Sequence, residues 1–454
     1  MVNNTHRIYD KYLSQVTLCR DIIEGDARIK EKSTEYIPKL PLQDAKAYKA
    51  MISRPSFDNF TGKMLDGLTG LVFAKTPVYE LPQKTESYIK SIDLGTNNDV
   101  DIAQILLEEV LVTSRAGILV DLSNTTINEP VNGAVIEKLN IRPYAKIYKN
   151  ESIINWRYEN NKLVMVVLKE VVEDWEDEFT TKSKTHYRVL SLTENGYLSR
   201  VFELEGKDTK LISSVYPTMN GKSMDFIPFI PINPMNLDII PSKPPLYDMA
   251  VTNLSSHKLK IDLYHALYFT VPTPYGSGIE DKDLQITIGA TELHLFSNPN
   301  AKLQYLEFHG DGLKNITTEI EECKKSMAAL GNEFLRDRTR GVEAAETVAM
   351  RTSGDRATLQ SVSDTVSRAM TLMFKYFAMW LNEPTENISY KLNTDYSLTT
   401  ANPQMINAYA QLHTLGLYSD YDFFYRMKQI GEIDETLTFE DWQSRRDTQG
   451  VKLQ

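Results

Sequence analysis

The sequence has few of the features that mark secreted, membrane-spanning or metal-binding proteins. Only two of its 454 residues are cysteines, Cys19 and Cys323, so neither a disulfide framework nor a cysteine-based zinc site is available. The N-terminus has no apolar signal-peptide core, and no run of about 18 apolar residues occurs anywhere. These absences predict a protein that is neither exported by a signal nor inserted in a membrane, and that is assembled in a reducing cytoplasm.

Motifs for catalysis and for cofactor binding are missing too. There is no phosphate-binding loop of the form GxxxxGK[ST], and none of the seven histidines belongs to an HExxH pair. His257 and His265 share one predicted helix, but their Leu, Ile and Tyr neighbours favour packing over metal binding. The sequence therefore predicts no enzyme, no metal and no cofactor. A hydrolase with unrecognised acidic residues stays open as an alternative, since catalytic partners need not be adjacent in a chain.

The charge balance limits how the chain can meet nucleic acid. Acidic residues outnumber basic ones, 61 against 50, which gives a formal net charge of -11. A protein that coats nucleic acid needs a surplus of Lys and Arg on the contacting face, so this role is disfavoured. An acidic chain can still surround DNA without binding it tightly.

The order of patterns predicts an α+β fold. Apolar residues at helical spacing indicate helices over 6–24, 43–53, 57–73 and 102–115, the last with Asp101 as a possible cap and Gly117 as the breaker after it. A strand-like run follows at 118–122. Between 141 and 234, short runs rich in β-branched and aromatic residues indicate strands at 145–148, 162–172, 187–192, 200–204 and 227–232. The proline-rich stretch 228–245 excludes both helix interior and central strand, and so ends this region.

Two helices with narrow apolar stripes follow, separated by a short insertion of strand and turn signals at 269–308. Residues 246–268 and 311–331 repeat their apolar residues at alternating spacings of three and four, close to the 3.5 period of a packed seam. We interpret five of these residues as candidates for a seam between neighbouring copies: Leu254, Ile261, Ile316, Ile320 and Met327. A helical hairpin within one chain would explain the stripes equally well.

A polar link then connects to the longest helical pattern, from about Ala344 to Leu381 with a kink expected at Gly354. The link carries Arg336, Arg338 and Arg340, which in extended conformation project from one face. One interpretation is a solvated charge run. The other is a loop that makes weak, sequence-independent contacts to phosphates. After Pro384 the pattern indicates short helices near 403–415, 420–430 and 438–446.

In this order of parts the chain resembles the portal proteins of tailed bacteriophages over nearly its whole length. The resemblance is carried by FIPFIPINP, by LYDMAVTNLSSHKLKIDLYHALYFTVPTPYGSG, by LKNITTEIEECKKSMAALGNEFL and by ETVAMRTSGDRATLQSVSDTVSRAMTLMFKYFAMWL. It implies an elongated α+β subunit with an α+β wing, a helical stem, a small β clip, a long kinked helix and a helical crown. The implied parts are the wing 1–245, first stem helix 246–268, clip 269–308, second stem helix 309–331, tunnel loop 332–343, long helix 344–382 and crown 383–454.

The resemblance also implies a function without catalysis. Such a subunit would form a dodecameric ring at one capsid vertex of the virion, the channel through which double-stranded DNA is packaged and ejected. Its partners would be other copies of itself, the terminase large subunit, the major capsid protein, head-tail adaptor proteins and non-specific DNA, with a scaffold protein as a further candidate. Arg336, Arg338 and Arg340 would face the DNA, and Glu319, Glu321 and Glu322 would make the stem wall acidic.

Another phage structural adaptor, or a helical scaffold protein with an α+β head, is the main alternative. It predicts a monomer or small oligomer without a channel, whereas a portal subunit predicts a closed ring with a central hole.

Overall fold

The computed structural model describes residues 1–39, 41–123, 142–205, 208–270, 273–277, 300, 302–306, 311–335, 358–394, 396, 403–429, 433 and 437–449. The fold is α+β, as the sequence predicts. By its contacts the chain divides into two compact units, Met1–Thr394 and Asp395–Gln454.

The first unit contains most of the helices. They are α1 (Arg7–Glu24), α2 (Asp26–Glu31), α3 (Ser33–Tyr36), α4 (Ala45–Ser53), α5 (Phe60–Val72), α6 (Gln83–Glu86), α7 (Asp99–Thr113), α8 (Tyr247–Phe269), α9 (Asp311–Leu335) and α10 (Thr358–Leu381). No helix in the described part of the chain combines the length and the apolar content that a bilayer crossing requires.

Among the described residues, all strand pairs are antiparallel. A three-stranded sheet has the order β11 (Phe229–Ile232), β2 (Ala116–Leu122), β3 (Pro143–Lys149). A five-stranded meander has the order β4 (Ile153–Glu159), β5 (Lys162–Trp175), β6 (Thr181–Thr193), β7 (Gly196–Glu205), β8 (Asp208–Val215). The two-stranded pairs are β1 (Val78–Glu80) with β14 (Ser389–Lys391), β9 (Thr218–Met219) with β10 (Lys222–Ser223), and β12 (Thr273–Ser277) with β13 (Lys302–Leu306).

Helix α10 lies at the centre of the first unit. It packs against α7 and against all three strands of the three-stranded sheet. Its apolar stripe is fully buried, and the side chains without solvent exposure include Leu359, Val362, Val366, Ala369, Met373 and Phe377. The helical periodicity of the sequence predicts this stripe, and burial of apolar area is the main force that holds such a helix in place.

The approach of strand β11 to strand β2 requires a glycine. The ring of Phe229 lies directly over Gly117, and a Cβ atom there would be only 2.2 Å from the ring. Phe229 also contacts Tyr148 of β3 edge to face, with ring centroids 6.2 Å apart. Gly117, which the sequence suggests as a helix breaker, is therefore a packing residue inside a strand.

The start of α7 differs from the expectation that Asp101 is its cap. Asn98 caps the helix and accepts a hydrogen bond from the Asp101 backbone, while the Asp101 side chain accepts one from the Asn98 backbone. This reciprocal capping box lets the helix begin at Asp99. In this capping box the Asn three residues before the Asp is the cap residue, and the Asp side chain returns a hydrogen bond to it.

A buried arginine joins the two large sheets. Arg115, at the start of β2, has no exposed surface, and its guanidinium donates to Asn150 Oδ1 and to the backbone oxygens of Asn150, Ile153 and Ile239. Burial lowers the pKa of Arg115 to about 9. The five donors of a guanidinium can satisfy several carbonyls at once, so this one side chain fixes the junction between β2 and β4.

A second buried charge lies where β3 meets the five-stranded sheet. Glu170 accepts hydrogen bonds from Tyr148, from Lys146 at 3.0 Å and from Arg188 Nε at 2.9 Å. Burial alone would raise the pKa of Glu170, but the hydrogen bond and charge of Arg188 outweigh this and lower it to about 2. The carboxylate therefore stays ionised and links the two sheets.

The described part of the second unit contains three helices, α11 (Pro403–Thr414), α12 (Asp420–Gln429) and α13 (Phe439–Gln449). They match the three short helices that the sequence predicts. Phe424, Phe439 and Trp442 form an aromatic cluster between α12 and α13. Asp420 accepts hydrogen bonds from Arg446 and His413 at 2.7 Å, and the Arg446 hydrogen bond lowers the pKa of that carboxyl.

We expect the stability that Glu170 supplies to depend on pH. Its folded pKa, about 2, lies below the ordinary value of 4.5, so the contribution is complete above pH 4.5 and is lost as pH falls towards 2. Denaturant unfolding should show Glu170→Gln to be less stable than the parent by on the order of 3 kcal/mol at pH 7. This difference should shrink between pH 5 and pH 3. Glu159→Gln, at a side chain 58% exposed, is the control, and a pH-independent difference at Glu170 would contradict the assignment.

Candidate functional site

The candidate site is the helix pair α8–α9 together with the antiparallel strand pair β12–β13, which lies between the two helices in the chain. Helices α8 and α9 pack against each other. Strands β12 and β13 pair from Thr273↔Leu306 to Ser277↔Lys302. This arrangement coincides with the part of the sequence where two seam-type helices flank a strand-rich insertion. Residues 278–299 of the insertion lie outside the described residues.

The two helices run antiparallel and come very close at one end. Gly331, near the end of α9, faces Met64 of α5, and a Cβ atom on Gly331 would be 2.2 Å from the Met64 methyl carbon. Met249, near the start of α8, lies at 3.8 Å from the same point. The end of α9 thus lies beside the start of α8, and a residue larger than glycine at 331 would displace Met64.

One side of α8 is clamped to the segment that leads into α5. Asn253, which is 1% exposed, accepts hydrogen bonds from the backbone and hydroxyl of Thr61 and donates to the Asp58 carbonyl. One turn further, His257 packs edge to face on Phe57, and burial lowers its pKa to about 4. His257 is therefore neutral at pH 7 and packs in the interior, as the sequence suggests.

The distal half of α8 is supported by α4. Ile261 is 1% exposed and packs against Tyr48, Met51 and Ile52. Beyond it, the Arg54 guanidinium lies 3.8 Å from the ring centroid of Tyr268, a cation–π contact. Residues of the same chain therefore cover the face of α8 that contacts α4.

The five seam candidates fall into two groups. Leu254, Ile261 and Met327 are buried within one copy, at 7%, 1% and 4% exposure. Ile316 and Ile320 are only half-buried on α9. Helices α8 and α9 therefore pack on each other within one chain. A contact between copies stays a prediction, and Ile316 and Ile320 are the seam residues still available for it.

The predicted acidic residues of α9 are all exposed, but they do not form an acidic face. Glu319, Glu321 and Glu322 share the exposed surface with Lys314, Lys324 and Lys325. Glu322 forms an ion pair with Lys325 at 2.7 Å. Three acids against three bases leave the described surface of α9 with mixed charge, so any repulsion of a polyanion by this helix alone is weak.

Arg336, Arg338 and Arg340 lie outside the described residues, so their predicted role stays a prediction. The chain on either side of them is described. Leu330 of α9 and Thr358 of α10 line one cavity of about 310 Å³, together with Met235, Pro245 and Met249. The link that carries the arginines therefore leaves and rejoins the described fold near the start of α8.

Sequence reasoning missed Asn253, Met64 and Gly331, which fix the position of the helix pair. A buried amide inside an apolar-periodic helix is a usable signal, because a buried polar side chain needs partners. The contact of Met64 with Gly331 joins positions distant in sequence and leaves no local pattern. Among the described residues no three or more His, Cys, Asp or Glu side chains are grouped as metal ligands would be.

The comparisons with known proteins cover the helix pair and its surroundings. A family model described as a domain of unknown function (DUF4055) matches residues 245–381, a range that runs from the start of α8 to the end of α10. A comparison with curated proteins gives no match.

Three solved structures from gene transfer agent (GTA) particles are similar to the chain, and each match covers 82% of this chain and 89% of that chain. A chain from the virion of the native particle has 11% identity and a TM-score of 0.41. Chains from the neck of the native particle, computed with C12 symmetry, and from the neck of the empty particle, computed with C6 symmetry, have 12% and 10% identity and TM-scores of 0.41 and 0.40. A likeness at this level does not establish a shared function.

We expect alanine substitution of two isoleucines to change the free energy of unfolding by different amounts, because α4 packs on Ile261 of α8. Ile261→Ala empties a fully packed position and should lower the free energy of unfolding by about 3 kcal/mol. Ile320→Ala, at a half-buried position, should lower it by about 1 kcal/mol or less. Urea unfolding of both variants measures the difference, and equal losses would show that α9 is packed as deeply as α8.

Proposed function

We propose that the chain is a portal-type subunit, a non-enzymatic building block of a ring that surrounds double-stranded DNA at one vertex of a phage-like capsid. The observation that carries the proposal is the helix pair α8–α9 with an antiparallel strand pair, β12–β13, between the two helices in the chain. This arrangement corresponds to the stem and clip of the family that the sequence resembles. On this proposal the chain acts mechanically, without catalysis, metal or cofactor.

The packing of α9 supports assembly with further copies. Its 25 residues would extend about 37 Å, yet the described side chains contact the rest of the chain along one narrow stripe. Only Met327 and Gly331 are classed as buried, whereas Ile316 and Ile320 keep part of their surface in solvent. A helix of this length gains most of its stability from packing, so a neighbouring copy would complete its environment.

The charges of the chain suit a channel in which DNA slides. The chain has a net charge of -11, and exposed acids and bases are mixed along the described part of α9, so this helix would hold phosphates weakly. In the proposal Glu319, Glu321 and Glu322 belong to the channel wall, and Arg336, Arg338 and Arg340 supply transient phosphate contacts. The ring would be dodecameric and located in the virion, with the terminase large subunit, the capsid protein and head-tail adaptors as partners.

The decisive experiment is to determine the mass and shape of the purified full-length chain. We expect native mass measurement and electron microscopy to show closed rings of about twelve copies with a central hole. Ile320→Ala should weaken the ring without unfolding the subunit. A chain that stays monomeric, or forms small oligomers without a hole, would contradict the proposal and favour an adaptor or a helical scaffold.

The arginine prediction is tested in the assembled particle. Replacing Arg336, Arg338 and Arg340 together by Ala should leave ring assembly intact and reduce the amount of DNA packaged or retained, because phosphate contacts are lost. The matched control is replacement of the exposed Lys314, Lys324 and Lys325 by Ala, which removes the same charge from α9. If DNA packaging is normal with all three arginines replaced, the predicted role of the arginines is wrong, whereas the proposal that the chain forms a ring is unaffected.

A further inference from the structure

Strands β5 and β6 extend past the rest of their sheet as a two-stranded ribbon, residues 171–185, which we call the arm. Their pairing continues from Val171↔Thr185 to Trp175↔Thr181, whereas the β6–β7 pairing ends at His186↔Glu203. At about 3.4 Å per residue the arm projects about 17 Å. Two strands without a third strand or a packed helix bury little surface, so an isolated arm of this kind is only marginally stable.

The arm exposes large apolar side chains. Val171 is 66% exposed, Trp175 65% and Phe179 87%. Phe179 lies in a well-defined turn, because Asp177 Oδ1 accepts hydrogen bonds from the backbone N–H groups of Phe179 and Thr180, both at 2.8 Å. Exposed aromatic side chains held in a fixed conformation often supply most of the affinity of a protein interface. The arm has two of them, Trp175 at the end of β5 and Phe179 in the turn that follows.

The two faces of the arm differ in chemistry. One face carries charged residues that are already paired, Lys184 with Asp174 at 2.8 Å beside Lys182 with Glu176 at 3.3 Å. On the other face Val171 and Trp175 lie on either side of Glu173, and the residues opposite these three, Thr185, Ser183 and Thr181, carry no charge. This second face therefore combines large exposed apolar side chains with one carboxylate.

The arm also has a net negative charge, which restricts what can cover it. Residues 171–185 contain five acidic residues, Glu173, Asp174, Glu176, Asp177 and Glu178, against Lys182 and Lys184, a net charge of -3. The partner surface should therefore combine basic residues with apolar ones, because like charges repel each other when an interface brings them together.

The flank of α4 has this chemistry. Residues 39–50 contain three basic residues, Lys39, Lys46 and Lys49, against Asp44, a net charge of +2. Lys46 and Lys49 are exposed beside the exposed Ala47 and Ala50, and the nearby Leu42 is fully exposed. The opposite side of α4 is buried on Ile261, so the basic side points away from the helix pair.

We propose that the arm of one copy docks on the α4 flank of a second copy, with Trp175 and Phe179 on Ala47, Ala50 and Leu42. The charges of -3 and +2 would then face each other, which steers the two surfaces together and fixes their register. Two different patches on each copy make a head-to-tail contact, the type that closes into rings. The inference rests on the proposed function for the existence of the ring and adds which surfaces join its neighbours.

Mixed disulfides test the contact directly. Two variants, Phe179→Cys and Ala50→Cys, are made in a Cys323→Ser background, so that each has one accessible cysteine beside the fully buried Cys19. Dissolved oxygen takes up the two thiol hydrogens as each S–S bond forms. An equimolar mixture of the purified variants should give a cross-linked dimer, whereas either variant alone should not. Dimers from Phe179→Cys alone would show an arm-to-arm contact and overturn the proposal.

Substitutions in the two surfaces test the contact in a second way. Trp175→Ala with Phe179→Ala should weaken self-association at least about tenfold in analytical ultracentrifugation. Glu176→Lys with Glu178→Lys, or Lys46→Glu with Lys49→Glu, should weaken it similarly, and the combination of both pairs should restore it. The control pair, Lys90→Glu with Lys222→Glu at exposed sites elsewhere, should have little effect.

The outcomes separate this inference from the proposed function. Rings that assemble equally well in every arm and α4 variant would overturn the docking and leave the ring proposal intact. Mixed disulfides from a chain that never closes into rings would overturn the ring proposal alone. The absence of both rings and mixed disulfides would overturn both.

Discussion

The burial of one face of α10 is the constraint on which the first unit depends. The helix contacts α7, the three-stranded sheet and the β14 strand, while its first turn shares a cavity with the end of α9 and the start of α8. Helix α9 of the pair contacts α10 directly, and α5 reaches α10 through α7. Because Leu359 and Phe377 have no exposed surface, shifting α10 would open cavities along its whole length.

Much of this arrangement could be predicted from periodicity. The apolar spacing of three and four located α8, α9 and α10, and β-branched runs located β2, β3, β5, β6 and β7. The strands β4 and β8 were missed. β8, DTKLISSV, is exposed on both faces and so lacks the alternation that marks a half-buried strand. The Asn98 cap was missed because both members of a capping box are good cap residues, and only the backbone conformation decides between them.

The candidate site was predictable in its location and less so in its electrostatics. The stripe residues Leu254, Ile261 and Met327 are buried, as apolar seams should be, but Ile261 meets α4, a contact between positions more than two hundred residues apart. The glutamates of α9 are exposed as expected. Their effect is offset by lysines on the same helix, because a count of acids along a sequence does not show which bases share their surface.

Gly331 leaves room for the side chain of Met64 where the end of α9 meets α5. Met64 belongs to α5, which the Asn253 amide ties to α8. One methionine side chain therefore connects the position of α9 to that of α8 through α5. Because a methionine side chain is flexible, this contact tolerates small adjustments of α9, whereas the Asn253 hydrogen bonds fix α8 on α5 by their geometry.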